Sequence, residues 1–194
     1  MTSPIKLNLK IYQGSTFRQV LRWESSTKVY TPITGITKSA PVTITVPGHG
    51  IPVGWRARVS NVGGMKEINS TDYFTVTTAT SSTVSFNQLN TLGFTAYTSG
   101  GVIEYNEPVD LLNYTARMQI RTKLDSNIVL FELTSENGGL LFDNVLKTIT
   151  LYITAADTTL FNFTQAVYSL ELQHYGEVIP FSTGNISVQK EITR

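Results

Sequence analysis

His49 is one of two histidines in the chain. It stands between Gly48 and Gly50 in the stretch VPGHGIPVGWRARVSNVGGM, with Trp55, Arg56 and Arg58 close behind. Three kinds of chemistry suit a histidine in such a loop. As a general base it needs a nucleophile and an orienting carboxylate, but no Ser or Cys elbow is near and the first carboxylate downstream is Glu67. As part of a phosphate cradle the glycines would have to open a helix, whereas Pro52 and a strand-like run follow. As a turn, the glycines supply positive φ and the imidazole bonds a backbone carbonyl. The turn is the expectation.

The remaining candidates are sparser. Cysteine is absent, which removes thiol nucleophiles, disulfides and Cys-ligated zinc, and His49 and His174 are too far apart in sequence to form a zinc motif. Glu132 and Glu136 flank LTS, yet a glycosidase needs two carboxyls about 5–9 Å apart across a cleft, which sequence spacing does not establish. Asp110, Asp125, Asp143 and Asp157 sit beside turn or cap residues, and Asp125–Asn127 lacks the later Gly and Glu of a calcium loop. No catalytic, metal or cofactor-binding residue is assigned. Arg56 and Arg58, with Lys66, and Arg117 with Arg121 form two local cationic groups. They are the candidate interface, meeting carboxylates of a neighbouring subunit, and Trp55 is either their apolar anchor or a cover for the core.

The elements that must position these residues are strands. Period-two alternation runs through the chain, with β-branched and aromatic residues between Gly, Asn, Ser and Pro punctuation. In YTARMQIR, Tyr114, Ala116, Met118 and Ile120 share one face and Arg117, Gln119 and Arg121 the other, so a one-residue slip would bury two arginines. In IKLNLKIY, Ile5, Leu7, Leu9 and Ile11 face one way. TFRQVLRW, NIVLFEL, KTITLYI, AVYSLELQHY and NISVQKE continue the series, the pattern of a half-buried antiparallel sandwich. One short helix is expected near 154–161, where Thr154 and Asp157 make a capping-box-like start and Leu160 and Phe161 dock on the core.

Between about Gly35 and Ile103 the texture changes to shorter strands, VTITV, WRARVSN, YFTVTT, TVSF and GGVIEY, broken by Pro and Gly. The expected architecture is an all-β chain: an antiparallel, Ig-like β-sandwich from residues 1–34 plus 104–194, with a small β-barrel inserted over 35–103. An insertion is tolerated where its ends lie close together on the host.

Composition limits the partners. A formal net charge of +1 gives no reason to expect nucleic acid. MTSPIKLNLKIY lacks an apolar signal core and no run approaches the ~18 apolar residues that span a bilayer, so neither secretion nor membrane insertion is expected. Charged residues make up 15% of the chain, against about 25% in average domains, which suits a subunit covered by its neighbours.

The outer segments resemble a β-sandwich of tailed-bacteriophage tail and baseplate structural proteins. YQGSTF, Trp23, PVDLLNYTARMQIR, ELTSENGG, ITLYITAAD and AVYSLEL carry the resemblance, in that order, with Asn113 where a turn Gly is usual. The middle segment is similar to a barrel inserted in phage tail proteins and to the first catalytic-cysteine half-domain of ubiquitin-activating enzymes, through GHGIPVG, VSNVGGM, Ile68, Asn69, YFTV and FTAYTSGG. Trp55, Asn61 and Ser70 depart from that form. The resemblance implies a non-enzymatic virion protein, a homo-oligomer in contact with other tail proteins in the tail, baseplate or tail-fibre attachment region, assembled in the host cytoplasm. The alternative it leaves is a module binding host-surface glycan through Trp55, Tyr73 or Tyr97.

Overall fold

A computed structural model describes residues 3–191. The chain is all-β apart from one short α-helix and a 3-10 turn. From the N-terminus come β1 (Ile5–Lys6), β2 (Leu9–Tyr12) and β3 (Phe17–Arg22). Next are β4 (Glu24–Pro32), β5 (Gly35–Ile36), β6 (Val42–Thr45) and β7 (Arg56–Gly63). β8 (Phe74–Thr75), β9 (Thr78–Ala79), β10 (Thr83–Phe86) and β11 (Ser99–Pro108) complete the middle segment. The chain then runs through β12 (Thr115–Arg121), β13 (Val129–Thr134), β14 (Leu140–Asp143) and β15 (Thr148–Ile153). α1 (Ala155–Thr159), β16 (Gln165–His174) and β17 (Glu177–Gln189) follow. No helix of the described residues is long and apolar enough to cross a membrane.

Two compact units emerge. The first takes the chain up to Arg22, Leu111–Asn144 and the chain from Thr148 onward; the second is Trp23–Asp110 with Val145–Lys147. Composition places the divisions near 34/35 and 103/104, and the compact units divide farther out because β4 and β11 pair with each other along most of their length. β4 is an edge strand of its sheet, and only Val29 of its side chains packs on the apolar cluster, so its sequence lacks the apolar alternation that announces a half-buried strand.

The first unit is sandwich-like, with a six-stranded sheet ordered β1-β17-β16-β12-β13, in which β2 also pairs with β17, and a three-stranded sheet ordered β14-β15-β3. The register of β12 follows its alternation: Ala116, Met118 and Ile120 are buried while Arg117 faces outward. Leu133 and Leu170 flank Met118 and Leu172 stands opposite Ala116, all buried, and Leu140, Ile149 and Leu151 of the three-stranded sheet are buried as well. α1 starts as its cap residues demand, the Thr154 hydroxyl accepting the Asp157 N–H at 3.1 Å. Phe161 is buried, but Leu160 is 78% exposed because the chain turns at the helix end.

The N-terminal segment departs from a single alternating strand. β1 and β2 are separate, both parallel to β17, and Ile5 is exposed. Between them the Leu7 carbonyl accepts the Tyr168 hydroxyl at 2.8 Å and the Asn8 Oδ1 accepts the Asn185 N–H at 3.0 Å. This break requires Gly184, where an added Cβ would overlap the Leu7 carbonyl oxygen. At the opposite edge of the sheet, Asn137 acts as a side-chain strand partner to β13: its Oδ1 accepts the Thr134 N–H at 2.8 Å and its Nδ2 donates to the Glu132 carbonyl at 3.0 Å.

The second unit has two four-stranded sheets, β5-β6-β10-β9 and β4-β11-β7-β8, which do not close into a barrel among the described residues. Their inner faces share one apolar cluster, to which Val42, Ile44, Val84 and Phe86 come from the first sheet and Ala57, Val59, Ile103 and Tyr105 from the second. Gly184→Ala should cost about 1–3 kcal/mol, as overpacking does. Hydrogen exchange should quicken first at Leu7, Leu9 and Ile11, and unchanged protection there would mean the close approach is not required.

Candidate functional site

The GHG loop is a turn, and its chemistry is reversed from expectation. Gly48 and Gly50 have φ of +69° and +64°. His49 is 2% exposed, and its Nδ1 accepts the Ile51 N–H at 2.8 Å instead of the ring donating to a carbonyl. An acceptor Nδ1 puts the proton of the neutral ring on Nε2, which is buried without a partner. The His49 carbonyl accepts the Tyr105 hydroxyl. Glu67, the nearest carboxylate downstream in sequence, serves elsewhere: its Oε1 accepts the Thr95 N–H and hydroxyl at 2.9 and 2.8 Å. Its own backbone N–H and Thr95 hold its carboxyl below the usual value.

Trp55 is 0% exposed within the apolar cluster, and its indole N–H donates to the Asn106 carbonyl at 2.7 Å. It covers the core and is not a surface anchor, which corrects its place among the candidate contacts. The arginines behind it find carboxylates within this chain. Arg56 makes a bidentate pair with Glu24, at 3.0 and 2.6 Å. Arg58 Nε and Nη2 both reach Glu104 Oε2, at 2.7 and 2.5 Å.

Glu104 is the centre of a cluster of charged and polar side chains, and sequence reasoning missed it. Its parity in β11 points it away from the core that Ile103 and Tyr105 enter, yet it is only 3% exposed. Besides Arg58 it accepts the Tyr73 hydroxyl at 2.5 Å and pairs with Lys28 at 3.2 Å. Lys28 also donates to Tyr73 and to Asn106 Oδ1, and the Lys28 and Arg58 cations lie against the Tyr73 ring. Burial pushes the Glu104 carboxyl up, but the bonds from Tyr73, Arg58 and Lys28 outweigh it and leave it below the ordinary 4.5. The missing signal is non-local: the covering residues come from β4, β7 and the segment before β8. Tyr97 is likewise engaged, its hydroxyl donating to the Ile33 and Gly100 carbonyls.

Arg117 and Arg121 lie on the outward face of β12 in a polar ladder. Arg117 Nε and Gln119 Nε2 each donate to Glu132 Oε1 at 2.6 Å, and Arg121 Nη2 donates to Gln119 Oε1 at 2.7 Å. Arg121 Nη1 also donates to the Ser126 carbonyl, tying down the β12–β13 connection. Gln119 and Arg117 hold the Glu132 carboxyl below its usual value. His174 ends β16, its ring stacked on Tyr114 with centroids 4.1 Å apart. Among the described residues no three His, Cys, Asp or Glu side chains are placed to hold a metal ion.

Neither a family model nor a curated protein matches the chain. The candidate surfaces therefore rest on their own geometry.

Two outcomes test the turn and the polar centre. His49→Ala should lose about 1–3 kcal/mol by leaving the Ile51 N–H unsatisfied in a buried turn, and His49→Asn, whose carbonyl can accept the same N–H, should recover part of it. Equal losses in urea titrations would refute that role for Nδ1. For Glu104 the folded carboxyl titrates below its unfolded value, so its stabilisation is complete above about pH 4.5 and fades as pH falls through the lowered folded value. Glu104→Gln should destabilise at pH 7 and narrow the gap to wild type under acid, measured as thermal midpoints. A gap independent of pH would show that the charge is not what stabilises.

Proposed function

We propose that the protein is a non-enzymatic structural component of a tailed-phage virion, present in several copies in the tail, baseplate or tail-fibre attachment region. The observation that carries this reading is that side chains with chemical potential hold the fold. His49 receives a backbone N–H, while Glu104 and Glu132 accept charged and neutral donors from neighbouring strands and from Tyr73 before β8. The phage setting is supported by the ordered resemblance of the outer segments, and the multi-copy role by a chain in which only 15% of residues are charged. Other tail proteins and further copies of this chain are the partners in this reading, with assembly in the host cytoplasm and no nucleic acid or cofactor.

With Arg56, Arg58 and Arg117 already paired, they would contribute to contacts through their remaining donors, which suits specificity more than affinity. Purified virions of the encoding phage should contain the chain by mass spectrometry, and the isolated protein should have a solution mass of two or more copies. A chain present in infected-cell lysate but missing from virions would overturn the proposal.

A further inference from the structure

The outward face of the six-stranded sheet holds a basin that the fold itself does not use. Alternation places Ser169 opposite Thr183 and beside Gln119 in register. Small hydroxyl side chains between long ones leave a depression of about 300 Å³, with Gln119, Ser169 and Thr183 among its lining residues. A second depression of about 380 Å³ adjoins it, sharing Arg117 and Glu171. Leu124, 84% exposed in the β12–β13 connection, and Val167 give the first depression aliphatic lining.

The polar groups here are held in place before any ligand arrives. The Arg117–Glu132–Gln119–Arg121 ladder fixes two guanidiniums, an amide and a carboxylate, and uses only part of their bonding capacity. Glu171 stands opposite Arg117 in register and adds a second carboxylate. Glu136 lines the second depression and Lys6 pairs in register with Thr183. Donors and acceptors are thus interspersed across the two depressions, and the three positive and three negative charges balance.

We propose that this basin binds an uncharged, polyhydroxylated ligand, a neutral oligosaccharide. Sugar hydroxyls both donate and accept, so they match interspersed planar groups of both polarities, and preorganised partners lower the ordering cost of binding. The other ligand classes fit less well. β12, β16 and β17 each have strand partners on both sides, so the floor offers no free backbone edge to an added peptide strand. Glu132 and Glu171 deny an anionic polymer the net positive field it needs. The residues differ from the aromatic ones that a glycan-binding barrel would use, and the inference stands independently of the assembly role.

The test uses the full chain on a printed array of neutral and acidic oligosaccharides, followed by titration of any neutral hit with heteronuclear NMR. The expected result is binding to at least one neutral oligosaccharide, with shifts at Gln119, Ser169 and Thr183. Gln119→Ala should weaken it about 10-fold, the equivalent of one lost hydrogen bond. Ser169→Tyr, which fills the floor, should abolish it. Thr183→Val keeps the strand-favouring shape and removes only a hydroxyl, so it should weaken binding in a protein whose fold is intact. Leu92→Ser, in the other unit, should change nothing. No neutral ligand binding up to about 1 mM, preference for acidic glycans alone, or shifts that survive both Ser169→Tyr and Thr183→Val would overturn the assignment.

Discussion

The antiparallel ladder between β4 and β11 is the constraint on which the chain's organisation depends. It runs from Pro32 opposite Val102 to Glu24 opposite Pro108, and just beyond it the Val109 N–H reaches the Trp23 carbonyl at 3.2 Å. The point where the chain leaves the first unit and the point where it returns are thereby hydrogen-bonded to each other. A long excursion then imposes little more loop-closure entropy on its host than a short turn would, because the excursion closes itself. It can also carry its own core, and the cluster around Trp55, Met65, Ile68 and Phe86 is one contiguous group.

Glu104 makes that ladder specific. A carboxylate on a sheet face with so little exposure has lost hydration, and Arg58, Lys28 and Tyr73 replace it from three directions. Its net contribution to stability is smaller than the sum of its bonds, since all the partners must be ordered to make them. Its effect on register is larger. Glu104 aligns Tyr30 of β4 with Arg58 of β7, and a slip by one residue would turn it into the apolar cluster that Ile103 and Tyr105 occupy.

What could be read in the sequence was local. The β12 register follows from two arginines alternating with apolar residues, and α1 from Thr154 and Asp157 three apart, because both signals lie inside the element they describe. Asn113 adopts φ of +61°, within the range that Asn tolerates at a turn. The parallel docking of β1 and β2 was illegible, since the carbonyl approach that splits them is created by Gly184 at the other end of the chain. β4 is illegible for lack of apolar alternation in its sequence. At the candidate site, Arg56, Arg58, Arg117 and Arg121 were visible as groups. Their partners were not, because Glu24, Glu104 and Glu132 are brought to them by strand pairing, and the basin exists only where residues 119, 169 and 183 meet.

The two edges of the six-stranded sheet bear on how such a protein can be stored at high concentration. One edge is β1 and β2, each too short to template a long added strand; at the other, the Asn137 amide occupies the place of a neighbouring backbone. Lateral growth of the sheet, the route by which crowded β-proteins turn into fibres, meets an obstacle on both sides. For this sheet, contact with another molecule is left to side-chain surfaces that recognise shape and charge.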